Sequence, residues 1–151
     1  MTRRILIMGL PGAGKTYLAQ YTLERLQNAH RSVGWLNADI VRTQYNDWDF
    51  TPEGRIRQAH RMRELADAMT TDFAIADFIC PLPEMRTAFG ADFTVWVDTI
   101  QTGRFADTNA MFVPPLDYDL RITEQDAPRY SELVADTILA KYLHVDPTLS
   151  S

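Results

Sequence analysis

Short apolar segments alternate with longer amphipathic segments along most of the chain. Five apolar runs, each bounded by turn-forming residues, have the length and composition of β-strands. We place these strands at residues 4–9, 33–37, 73–77, 93–98 and 120–123. They are apolar enough to be covered on both faces, which is typical of a parallel sheet.

The segments between the strands repeat their apolar residues at intervals of three and four, which predicts helices. We place the helices at residues 14–29, 51–69, 83–89 and 128–142. The second begins with Thr51, a capping residue, and Pro52, which is suited to the first helical position. Strands alternating with helices predict an α/β fold, with a mainly parallel five-stranded sheet between two layers of helices. Ligands of such sheets bind at the carboxyl ends of the strands.

Composition narrows the class of protein. The chain has 151 residues, 46% of them hydrophobic and 23% charged, which we interpret as one globular domain over residues 1–151. No apolar run approaches the ~20 residues of a membrane span, and no apolar signal region follows Met1. We therefore expect no membrane association and a cytoplasmic location. Cys80 is the single cysteine, which excludes an internal disulfide and a cysteine-rich zinc site.

Charge is distributed unevenly along the chain. The net charge is -5, yet residues 1–63 carry ten Arg or Lys against five Asp or Glu, and residues 64–151 carry five against fifteen. A basic first part can place a positive field over an anionic substrate even in an acidic protein. Ordinary solvated surface charge explains the same numbers. The positions of the basic residues in the fold therefore decide whether they bind a substrate or only face solvent.

A phosphate-binding loop is the strongest motif. Residues 9–16, GLPGAGKT, satisfy G-x-x-x-x-G-K-[ST] between a predicted strand and a predicted helix. Glycines allow the main-chain N–H groups to surround phosphate oxygens, and the helix directs its positive end at the same anion. Lys15 would reach the β- and γ-phosphates of ATP, and the Thr16 hydroxyl would bind Mg²⁺. The candidate ATP-binding residues are Gly9, Gly12, Ala13, Gly14, Lys15 and Thr16.

The motif alone does not distinguish a kinase from other nucleotide-binding proteins. The chain is too short for the extra modules of an ATP-driven motor, and it contains neither an N-K-x-D nor a D-x-x-G guanine-nucleotide motif. A small P-loop kinase is therefore favoured.

Candidate acceptor residues follow the second strand. Asp39 would emerge beside the phosphate loop, where a carboxylate can orient a Mg²⁺-bound water or accept a proton from an acceptor hydroxyl. Its alternative role is a helix N-cap ahead of Ile40. Arg42 could clamp a phosphate bidentately. On the helix at 51–69 we favour Arg55 for acceptor binding, and we interpret Arg57 and Arg63 as part of a solvated face.

The order of these motifs resembles adenylylsulfate (APS) kinase. That family has G-L-x-G-A-G-K-T, then D-G-D-N-x-R, then G-F-S/T-x-x-D-R-x-x-N-x-R-R, then F-I-S-P; the corresponding stretches are 9–16, 37–42, 50–61 and 78–81. The resemblance implies a P-loop NTPase-type three-layer sandwich and transfer of the γ-phosphoryl group of ATP to a nucleotide hydroxyl. It implies that Lys15 and Asp39 are catalytic and that Asp39 joins Thr16 at the metal. The acceptor-binding positions that it implies are Asp39, Arg42, Phe50, Arg55, Gln58, Arg61 and Ile79.

The chain also departs from the family pattern. Substituted positions include Asn37, Ala38, Gly54, Gln58, His60 and Cys80. The basic lid of the family is reduced to one arginine, Arg104, which either acts as the lid cation near ATP or belongs to an ordinary surface loop.

A shorter lid permits a larger acceptor than a free sulfated nucleotide. One alternative is therefore a kinase of the hydroxymethyl group of 5-hydroxymethyluracil in DNA, with a polyanion bound near one edge of the domain. The arginines for that role are Arg42, Arg55, Arg57, Arg61, Arg63 and Arg86. A second alternative is a nucleotide-binding accessory protein that hydrolyses ATP slowly. The sequence leaves the oligomeric state open.

Overall fold

In the computed structural model, residues 1–102 and 106–142 are described, and they form alternating strands and helices. The strands are β1 (Arg3–Met8), β2 (Val33–Asn37), β3 (Phe73–Asp77), β4 (Phe93–Val97) and β5 (Leu120–Ile122). The helices are α1 (Lys15–Asn28), α2 (Ala38–Tyr45), α3 (Pro52–Asp67), α4 (Pro83–Phe89), α5 (Ala106–Met111) and α6 (Ala127–Tyr142). Within these residues, no helix has the length and apolar character needed to cross a membrane.

The five strands form one parallel sheet in the order β2-β3-β1-β4-β5. Strand β1 is central, with Ile5 paired to Ile75 of β3 on one side and to Phe93 of β4 on the other. The predicted parallel sheet is therefore confirmed. Because the strands run in one direction, the loops after β1, β2 and β3 meet at the same edge of the sheet.

Both faces of the sheet are covered. Ile5 and Ile7 of β1 belong to an apolar cluster that includes residues of α1 and α6, whereas Leu6 and Met8 belong to a second cluster that includes residues of α3 and α4. This division follows from the two-residue period of a strand, which sends successive side chains to opposite faces. Each fully buried Ile or Leu contributes about 1.5–3 kcal/mol of apolar burial. The three-layer α/β sandwich is confirmed.

Two short helices were not anticipated from the sequence. Helix α2 follows β2 without a loop, and the Asn37 side chain caps it by accepting hydrogen bonds from the N–H groups of Asp39 (3.1 Å) and Ile40 (3.2 Å). Helix α5 has six residues and lies after β4, in the region interpreted as a reduced lid. Helices of six and eight residues contain too few turns for a clear apolar period.

Candidate phosphotransfer site

The phosphate-binding loop joins the central strand to α1. Strand β1 ends at Met8 and α1 begins at Lys15, with Gly12 and Gly14 in the left-handed region at φ 85° and 99°. Glycine adopts these angles without the Cβ strain of other residues. Gly9 has a different constraint, since an added Cβ there would lie 2.3 Å from the Val97 carbonyl oxygen. The loop is thus packed tightly against the end of β4.

Residues after β4 and β5 brace this loop. The Thr99 hydroxyl donates to the Ala13 carbonyl (2.7 Å), and the Gln125 side-chain amide donates to the Gly12 carbonyl (3.0 Å). Lys15 is buried, and its Nζ donates to the Leu10 carbonyl at 3.0 Å. The ammonium group is therefore held inside the curve of the loop, where a phosphate chain would pass.

A buried carboxylate faces the start of α1 from the neighbouring strand. Asp77, the last residue of β3, is 3% exposed and accepts hydrogen bonds from Trp35 Nε1 (2.5 Å), Asn37 Nδ2 (3.1 Å) and the Thr16 hydroxyl (3.3 Å). Burial raises the pKa of Asp77, while the hydrogen bonds from Trp35 and Asn37 and the charge of Lys15 oppose that shift. A carboxylate held at this depth beside a phosphate loop has the position of a functional group rather than of a surface charge.

Asp77 is a candidate site residue that the motifs of the sequence do not predict. A usable signal existed, because Asp77 ends an otherwise apolar five-residue strand, Phe73–Asp77. A charged residue at the carboxyl end of a fully buried strand lies where ligands of parallel sheets bind.

Thr16 and Asp77 together offer a hydroxyl and a carboxylate oxygen on one side of the loop. Such hard oxygen ligands suit Mg²⁺, which is commonly held by one or two carboxylates together with substrate phosphates. Within residues 1–102 and 106–142, no group of three or more His, Cys, Asp or Glu residues could hold a metal ion. The oxygen pair therefore fits an ion shared with a nucleotide rather than one bound by protein alone.

Asp39 lies in the first turn of α2, at the same edge, and its side chain is exposed. The alternative interpretation of Asp39 as the helix N-cap is wrong, because Asn37 occupies that position. The charge of Asp39 acts on the Arg42 guanidinium, where it opposes the lowering of the Arg42 pKa by burial.

Two buried arginines pack against one aromatic ring in the candidate acceptor cleft. The Arg42 and Arg55 guanidinium carbons lie 4.4 Å and 5.3 Å from the centre of the Phe50 ring. Arg42 donates to the Asp47 carbonyl (2.9 Å), whereas Arg55 donates to the Phe50 carbonyl (2.9 Å) and the Thr108 hydroxyl (3.2 Å). Burial lowers the pKa of both guanidinium groups. Phe50 itself is 47% exposed.

Gln58 and Arg61 extend this cleft along α3. Gln58 Nε2 donates to the Ala38 carbonyl (3.2 Å), and its Oε1 accepts from Arg61 Nη1 (3.0 Å). The Arg61 guanidinium also lies 4.4 Å from the centre of the Tyr45 ring. Ile79 is partly exposed just beyond β3. Arg104, the suggested lid cation, lies outside the described residues.

Ion pairs that the sequence did not reveal surround the remaining arginines. The Asp47 carboxylate accepts from Arg57 (2.9 and 3.1 Å) and Arg61 (3.0 Å), and Asp49 accepts from Arg57 (3.1 Å). The hydrogen bond from Arg57 holds the pKa of Asp47 well below its usual range. Arg57 is half-exposed, as expected for a solvated helix face, and it is also ion-paired with Asp47 and Asp49.

A cleft of about 320 Å³ opens beside the phosphate loop. It is bounded by Ala13 and Gly14 of the loop, by Tyr17 and Tyr21 of α1, and by the segment that precedes α6. Aromatic side chains next to a phosphate loop provide a flat apolar surface for a nucleotide base.

A parallel sheet of this order with a phosphate loop after its central strand defines a P-loop NTPase α/β fold. Residues 1–101 match the family model described as adenylylsulphate kinase. The chain therefore belongs to the adenylylsulphate kinase family. No curated protein sequence matches the chain.

Solved structures of small-molecule kinases share this fold. The APS kinase of Mycobacterium tuberculosis in complex with AMPPNP and APS is 22% identical, with a TM-score of 0.76 over 91% of this chain and 97% of that one. The shikimate kinase of Acinetobacter baumannii in complex with shikimate is 16% identical, with a TM-score of 0.62 over 95% and 96%. A gluconokinase of Sinorhizobium meliloti is 12% identical, with a TM-score of 0.60 over 93% and 97%.

Proposed function

We propose that this protein is a single-domain kinase that transfers the γ-phosphoryl group of ATP to a hydroxyl of a nucleotide-type acceptor. APS is the acceptor that family membership suggests, with its 3′-hydroxyl as the attacking group. The class of reaction agrees with the phosphate loop and with the P-loop kinase family.

One observation carries the proposal: two sets of hydrogen bonds, joined by the peptide bond between Asn37 and Ala38, connect the phosphate loop to the arginine cleft. Asn37 donates to Asp77 (3.1 Å), which also accepts from Thr16, and the Ala38 carbonyl accepts from Gln58 (3.2 Å). The segment between these contacts leads directly into Asp39. A donor site and an acceptor site connected this closely can hold two substrates in line for phosphoryl transfer.

The donor half binds the ATP phosphates. Lys15 and the N–H groups of residues 12–16 neutralise the β- and γ-phosphates, and the aromatic cleft near Tyr17 and Tyr21 receives the base. Mg²⁺, when bound, supplies charge neutralisation at the transferring group. Thr16 and Asp77 are the residues that would hold it, and Asp39 is the further carboxylate that the family resemblance suggests for this ion.

The acceptor half binds a base and an anionic group. Phe50 presents an aromatic face, and Arg42 and Arg55 provide guanidinium groups next to it. Gln58, Arg61 and Ile79 complete the surroundings. The acceptor oxygen forms a bond to the γ-phosphorus while the bond from phosphorus to the β–γ bridging oxygen breaks, and ADP leaves. Asp39 orients the acceptor hydroxyl and accepts its proton.

The test is an assay of label transfer from γ-labelled ATP to APS, to DNA containing 5-hydroxymethyluracil, or to water. Label on APS is expected. Label on DNA alone would establish the DNA alternative, and label appearing only as free phosphate would favour the accessory protein. Lys15→Ala should abolish transfer. Replacement of the other lysine of the chain, Lys141→Ala, should not, because Lys141 lies on α6, where its Nζ pairs with Asp119 Oδ1 at 3.5 Å.

The contacts of the arginines weigh against the DNA alternative. Arg57 and Arg61 pair with Asp47, and Arg63 pairs with Asp67 at 3.4 Å. Arg86 donates to the carbonyl groups of the segment after β3 and of Val113. Strand binding needs several cations that are available to phosphates.

A further inference from the structure

Within the described residues, two of the four arginines at and beside the acceptor cleft form ion pairs with aspartates and two do not. The Asp47 carboxylate accepts from Arg57 at 2.9 and 3.1 Å and from Arg61 at 3.0 Å. Asp49 accepts from Arg57 at 3.1 Å. Arg57 and Arg61 therefore already have carboxylate partners inside the protein.

Arg42 and Arg55 form the other pair. In the part of the chain that the structure describes, neither forms an ion pair with a carboxylate. Their donors reach main-chain carbonyls and the Thr108 hydroxyl, and both residues are about 95% buried, with relative exposures of 4% and 5%. Asp47 and Asp39 act on Arg42 only through longer-range charge, which does not reverse the lowering of its pKa by burial. A buried charge without a directly paired carboxylate is costly, so an incoming anion gains most at this pair.

We infer that Asp47 is a specificity-determining residue, which neutralises Arg57 and Arg61 and so restricts the acceptor to one compact anionic group beside an aromatic base. The inference rests on the proposed function, because it takes the Phe50 cleft as the acceptor site. A nucleotide-sized acceptor meets Arg42 and Arg55 directly. A nucleic-acid strand needs additional cations for successive phosphates, and at this rim it would have to displace Asp47 to obtain them.

The experiment measures binding of a short fluorescein-labelled oligothymidylate by anisotropy, as a function of salt. Asp47→Asn keeps the size of the side chain and removes its charge. We expect the oligonucleotide to bind this variant roughly tenfold more tightly than the unaltered protein at low salt. The slope of log K against log salt should become steeper by about 0.7 for each arginine released. Asp47→Glu, which keeps the charge, should bind like the unaltered protein.

A matched control lies at the other end of α3. Asp67 also pairs with two arginines, Arg4 (3.0 Å) and Arg63 (3.4 Å), so Asp67→Asn makes the same change in net charge away from the cleft. If Asp47→Asn binds the oligonucleotide no better than Asp67→Asn, the inference is overturned. Equally tight binding by the unaltered protein would overturn it as well.

Separate controls distinguish a failure of the variant to fold from a failure of the proposed function. If Asp47→Asn melts below the assay temperature, the double variant Asp47→Asn/Arg57→Gln replaces it, and the slope should then change by about one released arginine. No change in slope would contradict the inference. Oligonucleotide binding requires no turnover. If Asp47→Asn binds the oligonucleotide more tightly but the unaltered protein transfers no label to APS, the result counts against the proposed function alone.

Discussion

Gly54 is the position where the acceptor cleft is most sensitive to a single methyl group. A Cβ at this glycine would lie 2.4 Å from both the Cγ atom and the main-chain oxygen of Asp49. Both distances are far below van der Waals contact, and the main-chain oxygen belongs to the loop that carries Phe50. Gly54→Ala should therefore push this loop away from α3.

Two opposing effects set the change in the free energy of unfolding that Gly54→Ala causes. Alanine is favoured over glycine in a helix interior by up to about 1 kcal/mol, and less in the first turn, where Gly54 lies. Overpacking of a well-packed site costs about 1–3 kcal/mol. The overlap should outweigh the propensity, giving net destabilisation of about 1–2 kcal/mol, which lowers the Tm of a domain of this size by roughly 2–8 °C.

The assay combines thermal melting with steady-state kinetics for both substrates. We expect the KM for the acceptor to rise about tenfold as Phe50 and Arg55 shift, while the KM for ATP changes less than about twofold. Asp49→Gly/Gly54→Ala should stay impaired, because the main-chain oxygen of residue 49 remains in place. A raised Tm with an unchanged acceptor KM would refute the reasoning.

Three further predictions concern the carboxylates and their cap. Asp77→Asn should abolish turnover in kinetic assays and lower the Tm, because the new amide NH2 faces the N–H donor of either Trp35 or Asn37, and removal of a buried charge offsets only part of that cost; unchanged turnover would contradict this. Asn37→Ala should cost about 0.5–2 kcal/mol in chemical denaturation through loss of the α2 cap and should also reduce kcat, whereas unchanged kcat would separate the cap from the site. Asp47 has a folded-state pKa below its ordinary value of 3.8, so its ion pairs stabilise the protein above about pH 4 and are lost as the pH falls further. The Tm difference between the unaltered protein and Asp47→Asn should therefore narrow in melts below pH 4, and a constant difference would count against the ion pairs.

Much of the fold follows from features that are local in sequence. The apolar runs at β1 and β3 are short and bounded by turns, and the N-terminus of α3 has its capping residue Thr51, which accepts a hydrogen bond from the Gly54 N–H at 3.1 Å. Such signals depend on neighbouring residues alone, so the sequence reveals them. Helices α2 and α5 are too short to show an apolar period.

The candidate site was only partly accessible from the sequence. The phosphate loop is a contiguous motif, whereas the role of Asp77 depends on its contacts with Trp35 and Thr16, which are distant along the chain. The pairing of Asp47 with Arg57 and Arg61 likewise depends on how the loop before α3 folds back. The number of arginines in the sequence therefore overstates how many cations are available to bind a ligand.

The most direct measurement of the central claim is a crystal structure with Mg²⁺ and a non-hydrolysable ATP analogue. We predict that the triphosphate lies within residues 9–16, with Lys15 Nζ moved from the Leu10 carbonyl to the β- and γ-phosphate oxygens and the metal beside Thr16 and Asp77. A triphosphate bound elsewhere, with Lys15 still on the Leu10 carbonyl, would contradict the account.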